Sequence, residues 1–212
     1  NSFSGMTGPL DGFRYRLGIE NYQGDYKLNA ITADARRYVR LKPITVAGRI
    51  YTYTRIGRDE NRLYQMYAGY GYLIRGYDAN SFYRNGTSSN TGPGEFDINQ
   101  LVGSRIAVAN FELRLPFTGP EKLAAIESKF LFSDLNVFFD MGLAYDNDSK
   151  VAFRSSPRTI NGYMERIPAM SAGVSLRVNV FGYFILEPYY AIPFQRKDVK
   201  TGIFGLTFAP GW

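Results

Sequence analysis

Apolar and polar residues alternate with a period of two along most of this 212-residue chain. That is the pattern of strands with one face turned to an apolar surrounding. In GFRYRLGIE, Phe13, Tyr15, Leu17 and Ile19 take one parity, and Arg14, Arg16 and Glu20 the other. Segment 26–41 is less regular: Ile31, Ala33, Ala35, Val39 and Leu41 oppose Thr32, Asp34, Arg36 and Arg40, and Arg37 breaks the pattern. Segment 44–56 sets Ile44, Val46 and Ile50 against Arg49 and Arg55, after a tight turn at Lys42-Pro43. Beyond a long polar and aromatic stretch at 57–102, alternation returns in RIAVANFELRLPF, DLNVFFDMGLAY, AMSAGVSLRVNV, FILEPYYAI and GIFGLTFAPGW. Eight strands are therefore predicted. One stretch reads as helix: PEKLAAIESKF, 120–130, with Pro120 at the first helical position.

Composition narrows the chemistry. The chain has 17 Tyr, 16 Phe and 22 Gly, which favours strands and tight turns. It has no cysteine and no histidine, which excludes disulfides, thiol chemistry, a Ser-His-Asp triad and histidine-ligated zinc. No enzyme activity and no cofactor or metal are expected. The formal charge is +6, but the basic residues never cluster, so nucleic acid is not expected as a partner. YDNDSK, 145–150, reads as a solvated loop rather than a calcium site, and Gly69 and Gly71 as backbone freedom rather than a phosphate cradle. No apolar run is long enough for a membrane-spanning helix. The chain starts at NSFSGMTG, so any export signal has been removed or lies outside it.

Alternation alone does not say which face points inward. Three details favour a barrel with its apolar face toward lipid. The polar parities are rich in Gly, Ser, Arg, Glu and Asn and poor in Lys, which suits a narrow filled lumen. Aromatics stand near strand ends, as in interfacial girdles: Tyr22, Tyr26, Tyr51, Tyr53, Phe117, Tyr145, Phe181, Tyr183, Phe194 and Trp212. Connections at 42–43 and 180–183 are short, whereas those at 57–102 and 146–165 are long, the alternation of periplasmic turns and extracellular loops. The connection at 117–131 is an exception on the short side. The reading is an all-β, transmembrane, antiparallel eight-stranded outer-membrane barrel forming one domain over 1–212. It comprises an N-terminal segment 1–12 and a long extracellular loop 57–102 folded into the lumen.

A lumen arginine needs partners, because an unpaired desolvated charge is costly. Arg75 stands in the apolar run of YGYLIRGYDANSF, and Glu112 and Asp140 fall on the lumen parity of the fourth and fifth strands. A guanidinium can engage both carboxylates through its fixed fork of donors.

LIRGYD on a long loop, ANFELRLPF on the next strand and FFDMG on the one after, in that order, resemble the outer-membrane protein 85 superfamily, which includes barrel-assembly and two-partner-secretion barrels. The resemblance covers most of the chain. It implies a loop tip of Arg75, Gly76 and Tyr77 folded into the lumen, acidic wall partners Glu112 and Asp140, and Phe138 and Gly142 as support of the Phe-x-Asp-x-Gly pattern. It further implies an aromatic C-terminal strand, Phe204, Leu206, Phe208 and Trp212, read by the barrel-assembly machinery during the protein's own insertion. Family members usually have sixteen strands and periplasmic POTRA modules. Here three strands precede the motif loop and five follow, so the chain looks like a minimal member without POTRA domains or the C-terminal half of a larger barrel. Passage of polypeptide through the lumen does not carry over. The expected role is outer-membrane biogenesis by perturbing or reorganising lipid, for protein insertion or lipid movement. The alternative is a membrane-anchoring or subunit barrel, with self-association or other outer-membrane subunits as partners.

Overall fold

The computed structural model describes residues 2–4, 7–84, 87–88, 95–160 and 162–208. Eight long strands run through it: β1 (Pro9–Tyr22), β2 (Leu28–Leu41), β3 (Ile44–Gly57), β4 (Arg105–Gly119), β5 (Phe132–Tyr145), β6 (Ala169–Val180), β7 (Phe184–Pro193) and β8 (Ile203–Phe208). Each pairs antiparallel with its sequence neighbour, in one sheet ordered β1 to β8.

The alternation decides which face is inside. On β4, Phe111 and Leu113 are 44% and 37% exposed, while the intervening Glu112 and the following Arg114 are 0% and 1% exposed. β5 repeats this with Val137 outside and Asn136 and Asp140 buried, and β7 with Ile192 outside and Glu187 buried. Polar groups fill the inside and apolar groups cover the outside, the reverse of a barrel made for water.

The sheet wraps around the described residues of the connection between β3 and β4. Two neighbouring loop residues show the wrap. The backbone of Gly71 packs beside Tyr189 of β7 and Thr207 of β8, while the Tyr72 carbonyl accepts Arg49 Nη1 of β3 at 3.0 Å. Strands far apart in the sheet thus meet the same piece of loop. Toward the long-loop end the interior is apolar: Leu73, Ile74, Tyr77, Phe82, Phe96 and Leu101 of the loop pack on Ile106, Val108, Ala144 and Ala169 of the wall. At the opposite end Thr7 and Leu10 are buried, and Thr7 Oγ1 donates to Asp134 of β5.

Three expectations change. Residues 120–130 form no helix. One turn closes, with Leu123 and Ala124 N–H on the Pro120 carbonyl, and then Ala125 N–H and Ser128 N–H return to Pro116 and Gly119 of β4. Ile126–Glu127 continues as a two-residue parallel strand beside β4. An isolated helix this short has a costly nucleus, and Ile126 and Phe130 are exposed, so no apolar face is buried in return. Tyr51 and Tyr53 are not girdle residues. They share the inward parity of Arg49 and Arg55, and Tyr51 packs on the apolar interior while Tyr53 Oη accepts Arg55 Nε at 3.1 Å. The N-terminal segment is also shorter than 1–12. β1 begins at Pro9, where a proline costs no ladder bond, and Ser2–Ser4 folds back along its first residues. Tyr22, Tyr26, Phe117, Phe181, Tyr183 and Phe194 are exposed near strand ends, whereas Trp212 lies outside the described residues.

The ladder path ends on one side at Ser2–Ser4, which covers only the first residues of β1, and on the other at β8. Among the described residues no backbone ladder joins β1 to β8. The inward parity of β1 is correspondingly open, with Arg14, Arg16 and Glu20 exposed.

Candidate functional site

The loop tip forms because the chain can turn tightly there. Leu73 and Ile74 N–H both reach the Tyr70 carbonyl, at 2.7 and 2.9 Å. Gly76 then takes φ +86°, a left-handed conformation that glycine adopts without strain, and a Cβ there would stand 2.9 Å from Ala191 Cβ of β7. This bend aims Arg75 at the wall.

Arg75 is saturated. Its backbone N–H and Nε both donate to Asp140 Oδ2, at 3.1 and 2.8 Å, and Nη2 donates to Asp140 Oδ1 at 2.9 Å. Nη2 also lies 2.8 Å from Glu112 Oε1, and Nη1 donates to Glu187 Oε1 at 2.9 Å. The guanidinium stacks 3.6 Å from the centroid of Phe138, and the Arg75 carbonyl accepts Ser171 Oγ at 2.7 Å. The loop-tip arginine therefore reaches β4, β5, β6 and β7 together.

The carboxylates have further cations. Glu112 Oε2 accepts Arg114 Nε at 2.8 Å and Glu112 Oε1 accepts Arg177 Nη2 at 3.0 Å. Arg177 Nε also donates to Glu187 Oε2 at 2.9 Å, and Ser175 Oγ to Glu187 Oε1 at 2.7 Å. Three guanidinium groups thus face three carboxylates with almost no access to water. A buried set with equal charge of each sign avoids the large penalty of a lone buried ion. Asn110 Nδ2 completes the layer, donating to Asp140 Oδ1 and to the Leu73 carbonyl at 2.8 and 2.7 Å.

The other expected residues have definite places. Phe138 is the stacking floor under Arg75. Gly142 leaves room for Ile74, whose Cδ1 would be 2.2 Å from an added Cβ. The Tyr77 hydroxyl sits 2.9 Å from the Met170 carbonyl and 2.7 Å from Gln195 Oε1, fastening the tip to the end of β6. Phe204, Leu206 and Phe208 form the outward face of β8 and do not meet this cluster.

Sequence reasoning missed Glu187, Arg177 and Arg114 as members. Each is on lumen parity, so its inward direction was readable. Their convergence depends on the register and curvature of strands that are not neighbours.

A model of the Omp85 superfamily domain matches residues 6–211. The chain belongs to the Omp85 superfamily. A search of curated proteins returned no match. Omp85 proteins are outer-membrane β-barrels of the membrane-protein assembly and translocation type, which agrees with the inside-polar, outside-apolar sheet. In this Omp85 barrel the lumen is closed by its own loop and charge layer. Each charged side chain of the central layer has at least one partner of opposite charge.

A second fastening lies at the loop's entry. Asp59 Oδ2 accepts Lys27 N–H at 2.9 Å and Arg58 Nη2 at 2.9 Å, and Oδ1 accepts Arg62 Nη1 at 3.1 Å. The bond from Arg58, then that from the Lys27 backbone, holds the Asp59 carboxyl well below the usual carboxylate range. A native pKa depressed below the unfolded value stabilises at neutral pH, and that contribution is lost as pH falls through the carboxylate range toward the native value. Hydrogen exchange at Lys27 and residues 58–62, corrected for intrinsic rates, is expected to quicken from pH 7 to pH 3. Protection that does not change with pH contradicts this assignment.

Proposed function

We propose that this Omp85 protein acts in outer-membrane biogenesis on the bilayer itself. It would loosen or reorganise lipid beside the β1–β8 seam, so that proteins insert or lipids move, without cargo passing through the lumen and without enzymatic chemistry. One observation carries the reading: no ladder joins β1 to β8 among the described residues, while the rest of the sheet is continuously paired. Strand edges in hydrocarbon leave N–H and C=O groups without partners, so such a seam disturbs its surroundings or recruits another strand. The locked lumen supports the same reading by making the wall the active surface. Lipid would be the working partner, and the barrel-assembly machinery a partner for the protein's own insertion.

The chain has no cysteine, so one can be placed on β1 and one on β8. Proteoliposomes are then assayed for scrambling of a fluorescent phospholipid and for the folding rate of an unfolded outer-membrane protein. At least one rate is expected to exceed that of empty liposomes, to fall when the cysteine pair is oxidised and to return on reduction. Equal rates from the oxidised and reduced forms, with the cross-link demonstrated, rule out the seam as the working element. Inactivity in both assays selects the anchoring reading.

A further inference from the structure

Away from the strand ends, where Asp11, Asn29 and Arg105 stand, the outward face of β1 to β4 carries one charged residue. Arg37 shares the outward parity of β2 with Ala35 and Val39, and it is exposed. It pairs across the sheet with Phe13 of β1 and Gly48 of β3, so its row reads aromatic, arginine, glycine. Among the described residues the Arg37 side chain makes no hydrogen bond and no ion pair, whereas that of its inward neighbour Arg36 is held by Asp34 at 2.6 Å. A bare cation on a barrel's lipid face is destabilising near the midplane and tolerated close to an interface.

The surface beside it is hollow. A Cβ on Gly48 would meet nothing within 4 Å. The next row places Ala35 between Tyr15 and Ile50. Phe13 and Tyr15 stack with centroids 6.1 Å apart and planes 3° apart, raising one side of the depression. The result is an open groove of about 500 Å³ at Arg37, floored by Ala35 and Gly48 and flanked by the aromatic pair and Ile50. That volume is in the range of small-molecule sites.

Position along the strand selects the leaflet. β2 ends at Leu41 before the two-residue turn 42–43. Arg37 is four residues from that end, roughly 13 Å along a strand at ~3.3 Å per residue. Strand tilt shortens this to roughly 10 Å along the membrane normal. Short turns of outer-membrane barrels face the periplasm, so Arg37 belongs to the periplasmic leaflet. Its long apolar stem can lie along the surface while the guanidinium rises to the headgroup level.

We propose that this groove is a binding site for one glycerophospholipid of the periplasmic leaflet. The phosphodiester oxygens accept from the Arg37 guanidinium, whose paired donors match a phosphate edge. An acyl chain lies over Gly48 and Ala35, against Phe13, Tyr15 and Ile50. The groove spans the continuously paired strands β1, β2 and β3, with Phe13 and Tyr15 on the strand that also borders the seam.

The full chain, folded in detergent micelles, is titrated with phosphatidylethanolamine and analysed by native mass spectrometry. One tightly retained lipid is expected per barrel. Arg37→Leu is expected to weaken retention roughly tenfold, the scale of one lost charge-assisted contact. Gly48→Phe is expected to abolish it by filling the groove while Arg37 stays in place. Val174→Phe, on the distant outward face of β6, serves as control and is expected to retain lipid normally. Diacylglycerol, which has no phosphate, is expected not to be retained. Retention unchanged in both Arg37→Leu and Gly48→Phe overturns the site, as does equal retention of diacylglycerol. Preference for lipid A over phosphatidylethanolamine overturns the leaflet assignment and with it the proposal. Folding of each variant is checked by far-ultraviolet circular dichroism, and the two variants probe the site through different atoms.

Discussion

Replacing Arg75 by alanine is expected to destabilise the barrel by about 3–5 kcal/mol, the cost of breaking a buried ion pair from one side. Three carboxylates would remain with two guanidinium partners, all shut away from water. The loop would lose its bonds to Asp140, Glu112 and Glu187 in one step. Limited proteolysis of 58–104 in folded barrels is the direct readout, with urea unfolding in liposomes for the energy. Arg75→Lys is expected to recover only part of the loss, because an ammonium does not span three carboxylates in the guanidinium's plane. The double variant Arg75→Ala, Asp140→Ala should cost less than the sum of the two single changes, since each alone strands the other's charge. A protease-resistant loop in Arg75→Ala, with unchanged unfolding, sinks the lock assignment.

Gly173→Ala is expected to be the most damaging single-methyl change, by about 1–3 kcal/mol if the strands yield as overpacked cores do. Gly173 faces Ala191 in the β6–β7 ladder, and a Cβ there would lie 2.0 Å from the Tyr190 carbonyl oxygen and 2.8 Å from Phe138 Cζ. The first contact is with backbone and cannot rotate away. The second pushes the ring on which Arg75 stacks. The variant should therefore loosen the loop without touching any charged residue. Gly162→Ala, where nothing lies within 4 Å but φ is +81°, is the comparison: it strains only a local turn and should leave the loop protected. Wild-type loop protection in Gly173→Ala contradicts the close packing of β6 on β7.

Much of this arrangement was legible along the chain, and the reason is local. A strand's parity is fixed by its own neighbours, so Phe111 and Glu112 reveal opposite faces without any tertiary knowledge. Loop tip, wall carboxylates and aromatic support were readable because three motifs occur in a set order. The illegible parts are those decided at a distance. Glu187 meets Arg75 because the sheet curves from β4 through β7, and no spacing within β7 records that curvature. Tyr51 and Tyr53 resembled girdle residues by type, yet their parity sent them inside with Arg49 and Arg55. The 120–130 stretch has helical composition, but it is drawn alongside β4 by backbone bonds to Pro116 and Gly119.

The lock also constrains the order in which the protein can be built. Arg75 must meet Glu187, 112 residues further along the chain, before its bonding is complete. Contacts so distant in sequence form late, after the loop they close has lost its freedom. Until β7 arrives, the tip has only part of its acidic wall, and the loop stays open to a protease. Acquisition of loop protection would then time the end of insertion, giving a built-in signal that separates a finished barrel from one still admitting strands.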